Sequence, residues 1–221
     1  MKKIFSYILL GIASILISYY VTMGFLQGNM SQDMSEEKNN VIVQKNEQEV
    51  TQNHLYGSMY LAGGCFWCIE GAFDEFPGVI SAVSGYAGGS EETATYKQVV
   101  QGNTQHREAV EVTYLLTDVK KEKILERFFS YIDPYDNGGQ VADRGFQYTT
   151  AIYYQNEEEK QYIESYIHKH FTEPIATKLV PFTGFYHAEE EHQDYAQKQS
   201  SHYKKYFKGS GREDYVESKK E

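Results

Sequence analysis

The chain has two cysteines and one tryptophan, all in the stretch Gly63-Gly64-Cys65-Phe66-Trp67-Cys68. Before it, residues 59–62 read as a short apolar strand. After it, Ile69, Phe73 and Phe76 recur at roughly helical spacing until Pro77-Gly78 closes the segment. The paired glycines permit a tight turn, which predicts Cys65 at or near the first turn of a helix. Unpaired amide N–H groups and the positive end of the helix dipole favour thiolate over thiol there, so the spacing predicts a lowered pKa and a usable nucleophile. Cys68, three residues on, lies on the same helical face and within reach of a disulfide. The reading is a reactive thiol pair. A buried structural pair is the plain alternative, and a zinc site would need two histidines from elsewhere, because no second close cysteine pair exists.

The elements that must hold this pair can be read in order. Residues 79–86 alternate as a strand and end in Ala87-Gly88-Gly89, and residues 96–100 read as a short helix stopped by Gly102. Residues 108–114 form a strand with Val110, Val112 and Tyr114 on one face. Glu108 and Glu111 are expected outside that face, on opposite sides of the strand, one of them inward. Ile124, Leu125, Phe128, Phe129 and Ile132 mark an amphipathic helix ended by Asp133-Pro134. A Gly-, Asn- and Asp-rich loop over 135–145 leads into a strand over 148–154. A helix follows, with Asn156 as N-cap and Glu159 at capping-box spacing. Residues 181–186 are extended, 189–207 form a last helix, and the polar tail after Gly209 frays. Mixed order without βαβ repetition predicts a two-layer α+β domain.

Composition excludes some partners. Net charge is −10, with 31 acidic against 21 basic residues, which argues against a nucleic-acid surface. Seven histidines invite a metal reading. His168 and His170 point to different helical faces, however, and His187 and His192 are not at one-face spacing, so no metal is expected.

The N-terminus reads as an anchor. Lys2 and Lys3 precede an uncharged, mostly apolar run over 4–26, longer than the roughly 20 residues that cross a bilayer. It is too long for the apolar core of a cleavable signal and lacks an Ala-x-Ala site. The expected organisation is a signal anchor over 1–27, a flexible polar tether over 28–56, a catalytic domain over 57–208 and a polar tail over 209–221. The lysines place the catalytic domain outside the cytoplasm, or free of the membrane if the anchor is cut.

In these motifs the chain resembles the A-type peptide methionine sulfoxide reductases. The resemblance is carried by Gly64-Cys65-Phe66-Trp67, Gly85-Tyr86-Ala87-Gly88-Gly89, Tyr96, His106-x-Glu108 and Asp133-Pro134. It continues through Gln140, Asp143, Gly145, Gln147-Tyr148, Ala151-Ile152, Ala188-Glu189, His192-Gln193 and Tyr195. It spans about residues 60–207. It implies a ferredoxin-like α+β sandwich and reduction of the S epimer of methionine sulfoxide, free or in proteins. It also implies no bound cofactor, an external thioredoxin-like dithiol as reductant, and a monomer. By the same resemblance Cys65 attacks the sulfoxide sulfur, Phe66 and Trp67 form an apolar cup for the substrate methyl group, and Glu108 donates a proton to the oxide. Tyr96 and Tyr148 hold that oxygen, and Asp143 organises the pocket.

The chain departs from the family at one point. Many members have Gly after the Trp and a resolving cysteine near the C-terminus; here Cys68 follows the Trp and no distal cysteine exists. Resolution is therefore expected locally, through a Cys65–Cys68 disulfide. No C-terminal extension could hold a B-type reductase, so the R epimer should go unreduced. Two other classes fit a thiol pair less well. A thioredoxin-like thiol–disulfide oxidoreductase needs a βαβ unit ahead of the pair, and a surface binding module would carry a structural disulfide that resists mild reductant.

Overall fold

The computed structural model describes residues 55–219. The expected anchor (1–27) and nearly all of the expected tether (28–56) lie outside them. Among the described residues no helix is long and apolar enough to cross a membrane.

The core runs β1 (Tyr56–Ala62), α1 (Phe66–Phe73), β2 (Val79–Ala87), a short α2 (Tyr96–Val99), β3 (Arg107–Leu115) and α3 (Lys121–Tyr131). A small hairpin, β4 (Gly139–Gln140) and β5 (Asp143–Arg144), precedes β6 (Ala151–Tyr154) and α4 (Glu157–His170). Then come β7 (Lys178–Pro181), β8 (Phe185–His187), α5 (Tyr195–Lys198), α6 (Ser200–Gly209) and α7 (Arg212–Ser218). One six-stranded sheet has the order β7-β6-β1-β3-β2-β8. Its four central strands pair antiparallel, and with α1 and α3 they give the βαββαβ arrangement of a ferredoxin-like sandwich. The expected α+β core is present. It is widened by β7, parallel to β6, and by β8, antiparallel to β2.

Strand alternation sorts the two faces. Met59 and Leu61 of β1 and Val110, Val112 and Tyr114 of β3 join Phe66, Ile69, Phe73, Ile124, Leu125 and Phe128 of α1 and α3 in the main core. The opposite face of the sheet holds Ala62, Ala87, Ala109 and Tyr153, covered by Phe182 and Phe185; the Phe182 ring stacks on Tyr60 at 4.1 Å. At the start of α4 the Asn156 side chain accepts the Glu159 N–H at 2.9 Å. The Glu159 carboxylate reaches back to the Gln155 N–H at 2.8 Å, as the capping-box spacing anticipates.

Three local expectations give way to tertiary contacts. The strand expected over 148–154 begins only at Ala151; a 3-10 turn, Phe146–Tyr148, replaces its start. Gly145 (φ 126) turns the chain there, and the Gln147 amide donates to the Val100 carbonyl at 3.1 Å. The helix expected over 189–207 is broken into a 3-10 turn (Glu190–His192), α5 and α6. The Gln193 side chain brackets the Ser84 amide and carbonyl at 3.0 and 2.9 Å, and Asp194 takes a left-handed conformation (φ 53). These bonds dock the segment on β2 more favourably than a continuous helix could. The tail does not fray: α7 is a helix whose Arg212 is wholly buried and whose Tyr215 hydroxyl donates to the Ile132 carbonyl at 2.6 Å.

Candidate active site

Cys65 is the N-cap residue of α1, as the glycine turn predicts. Gly64 takes φ +88, and a Cβ there would come within 2.5 Å of the Arg212 guanidinium and 2.7 Å of Gln140 Cβ, so only glycine fits. The Cys65 carbonyl accepts the Cys68 N–H at 3.1 Å, closing the first turn with the two side chains neighbouring. Both cysteines are free thiols. Cys68 is fully buried and Cys65 is 5% exposed.

The sheet supplies the acid. Glu108 sits on β3 and is 2% exposed, and its Oε2 accepts the Phe66 N–H at 3.0 Å. The expected placement outside the Val110–Val112–Tyr114 face is wrong: Glu108 has the same alternation as those residues and points to the helix side. Glu111 points the other way and accepts the Tyr60 hydroxyl.

Cys65, Phe66, Trp67, Tyr96, Glu108, Asp143 and Tyr148, each expected from the sequence, line one cavity of about 210 Å³ together with Tyr206. Cys68 lies behind Cys65, buried and not on the cavity wall. Trp67 stacks flat on Tyr195 at 3.8 Å and meets Tyr206 edge-on at 5.8 Å. The His192 ring fills the space between Phe66 and Tyr96, at 5.4 and 4.3 Å. Glu189 fixes Tyr96 by accepting its N–H at 2.9 Å, and its other oxygen accepts the Tyr86 hydroxyl at 2.7 Å. The β4–β5 hairpin brings Asp143 in. Gln140 holds that hairpin, with its side chain bonded to both the N–H and the carbonyl of Asp133 at 2.7 and 2.8 Å.

The family model for peptide methionine sulfoxide reductase matches residues 57–221. The chain belongs to that family. The MsrA of Bacillus licheniformis is 45% identical over 161 residues, 71% of this chain and 89% of the relative. The MsrA of Bacillus subtilis is 44% identical over 160 residues, 70% and 90% of the two chains. Among solved structures, methionine sulfoxide reductase A of Corynebacterium diphtheriae superposes with a TM-score of 0.58 at 31% identity, covering 66% of this chain and 76% of that one. Reduced Mxr1 of Saccharomyces cerevisiae gives 0.60 at 28% identity, covering 66% and 87%. This chain is thus an enzyme of the reductase family, and the thioredoxin-like alternative gives way to that match. Among the described residues only β1 precedes Cys65, in a sheet antiparallel at that strand.

Electrostatics correct one expectation about the reductase site. Burial pushes the Cys65 thiol well above its ordinary value, and the neighbouring Cys68 adds to the rise, while the Tyr206 hydroxyl opposes it. The helix terminus does not win in the resting state, because a sulfur sealed from water loses more hydration than the N-terminal amides return. Burial likewise pushes Glu108 well above the carboxylate range, helped by Cys65 and opposed by the Phe66 N–H. Burial thus disfavours the charged form of both the acid and the thiol. Burial also raises Asp143, opposed by the Tyr206 hydrogen bond and the Arg212 charge. The Tyr96 and Tyr148 phenols are raised by burial, so both remain hydrogen-bond donors.

Sequence reasoning missed Tyr206. Its hydroxyl donates to Asp143 Oδ2 at 2.5 Å and lies within bonding reach of Cys65. The available signal was a phenol at helical spacing from Tyr203 on one stripe of α6. Among the described residues no group of His, Cys, Asp and Glu is arranged to hold a metal ion.

Proposed function

We propose that this domain reduces methionine S-sulfoxide, free or in proteins, by oxygen transfer to Cys65. The observation that carries the reading is the cavity itself: a thiol, a buried carboxylic acid with a raised pKa and three phenols converge on one space beside an aromatic wall. The substrate methyl group packs on Phe66 and Trp67. Tyr96, Tyr148 and Glu108 donate to the sulfoxide oxygen, which withdraws electrons from sulfur. The Cys65 sulfur attacks that sulfur while Glu108 protonates the oxide, and the proton that leaves the thiol restores Glu108. The S–O bond passes to Cys65, giving Cys65 sulfenic acid and methionine, with no net proton change.

Cys68 then attacks the sulfenic sulfur, water leaves, and a Cys65–Cys68 disulfide forms. An external thioredoxin-like dithiol returns both thiols. The apolar run over 4–26 supports membrane anchoring, and Lys2 and Lys3 ahead of it support a domain held outside the cytoplasm that repairs envelope or exported proteins.

The test is turnover of resolved S and R epimers with dithiothreitol, using the native chain and Cys65→Ser. S-only turnover that Cys65→Ser abolishes is the expected result. Turnover of R, or a fully active Cys65→Ser, ends the reading. Protease access to the domain in intact cells checks the location: a domain shielded until lysis rules out an extracytoplasmic site.

A further inference from the structure

Among the described residues Arg212 is the one lysine or arginine buried with 0% exposure, and the reaction as described does not use it. It enters from α7 and passes beneath the Gly63-Gly64 turn. Nη1 donates to the Tyr131 carbonyl at 2.5 Å and Nη2 to the Gly63 carbonyl at 3.1 Å, while Nε is buried without a partner. Among the described residues it is in no salt bridge. The Gly64 Cα, one residue before Cys65, is packed against the guanidinium so closely that a methyl group there would lie 2.5 Å from Nη2.

A helix C-terminus attracts a cation, and the bond to Tyr131 at the end of α3 accounts for part of this placement. It does not account for the bond to Gly63 or for a buried charge held without an ion pair, which is costly. Such a charge is offset when an anion forms nearby. The turn it supports carries the thiol that must become anionic during attack.

We propose that Arg212 is a positioning residue for the reductase reaction: its guanidinium clamps the Gly63-Gly64 turn and its charge stabilises the Cys65 thiolate as that forms. The clamp fixes the thiol by holding the backbone before it. The charge acts through the turn, on a sulfur that also faces Cys68 on its own helix, Glu108 from β3, Asp143 from β5 and Tyr203 and Tyr206 from α6. The Tyr96 and Tyr148 phenols face it across the cavity. All of these are acids, the His192 ring stands between Phe66 and Tyr96, and among the described residues Arg212 is the one guanidinium or ammonium group bonded to the turn before Cys65. The proposal rests on Cys65 as the attacking thiol, which Cys65→Ser tests separately through turnover; the readout below follows the thiol whether or not it turns over.

The experiment compares Arg212→Gln, which keeps an N–H donor for Gly63 and loses the charge, with Arg212→Lys, which keeps the charge and loses the fork. Citrulline installed at 212 gives the shape of arginine without its charge, should the glutamine variant not fold. The readouts are the pH dependence of Cys65 alkylation by iodoacetamide, located by peptide mass mapping, and kcat and KM for methionine sulfoxide. The neutral variants are expected to raise the alkylation midpoint by about one pH unit, about tenfold slower reaction at neutral pH. Their kcat should fall about tenfold with KM unchanged, while Arg212→Lys keeps the native alkylation midpoint. A folded neutral variant with an unmoved midpoint overturns the proposal. So does an Arg212→Lys enzyme whose midpoint rises as far as that of the neutral variants, because the charge then does not reach the thiol.

Discussion

The Phe66 amide donates to Glu108 Oε2 at 3.0 Å, tying the first turn of the cysteine helix to the one acidic side chain that the central sheet turns toward it. One oxygen of the carboxyl group is thereby occupied, and the other is left for the substrate. Burial keeps that group protonated above the ordinary carboxylate range.

Glu108→Gln keeps an acceptor for Phe66 and removes the acidic proton. We expect kcat to fall about 10²–10³-fold, the usual range for losing a general acid, with KM little changed. The sign of the pH effect follows from the raised pKa: the acid is present below it and lost as pH rises through it. Native activity should therefore decline on the alkaline side. The residual activity of Glu108→Gln should show no such limb, and a retained limb would assign it to another group.

Tyr206→Phe removes the hydroxyl that bonds Asp143 and opposes the rise in the Cys65 pKa. The alkylation midpoint of Cys65 should move upward, and stability should drop by about 1 kcal/mol for the lost hydrogen bond. Alkylation rates against pH, with urea unfolding alongside, check both. A downward shift would mean that the phenol does not assist the thiolate.

Glu70 on α1 is fully buried, with Oε1 accepting the Ser84 N–H at 3.2 Å and Oε2 the Tyr195 N–H at 3.3 Å. Burial pushes its pKa to about 7, although the backbone N–H groups pull the other way. The folded state thus holds a proton that the unfolded state releases near pH 4.5. That stabilisation is complete below the unfolded value and is lost as pH rises through about 7. Urea unfolding at pH 5 and pH 8 should show a decline on the order of 1–3 kcal/mol in the native protein. Glu70→Gln should show a smaller decline, and equal slopes would exclude Glu70 as the source.

Val141 sits at φ 45 in the turn between β4 and β5, a conformation that a β-branched residue adopts only under strain. Gln140 and Asp143 on either side are held by side-chain bonds, which fix the turn. Val141→Gly should raise stability by about 1 kcal/mol, readable as a higher Tm. A lower Tm would show that Val141 packing outweighs the backbone term.

Much of this was legible from residue type and spacing. The glycine pair set Cys65 at a helix start because a left-handed residue must precede it, and alternation along β1 and β3 set the core face. The Asn156–Glu159 spacing set the start of α4. These are local rules, satisfied within a few residues. Apart from Cys65 and the missed Tyr206, the cavity residues were named through resemblance and not through any local rule, and their meeting in one place is a property of the fold.

What only the tertiary structure decided is protonation and closure. The sequence argued for a thiolate from the helix terminus alone. Burial by the sheet, Cys68 and the last helices reversed that in the resting state, since desolvation depends on what covers the sulfur. The sequence argued for a frayed tail because its residues are polar. Yet Arg212 is sealed under the Gly63-Gly64 turn, where three carbonyls, those of Gly63, Tyr131 and Ile132, accept donors from α7. Those carbonyls belong to segments some 80 to 150 residues away in sequence, a distance over which no periodicity carries information.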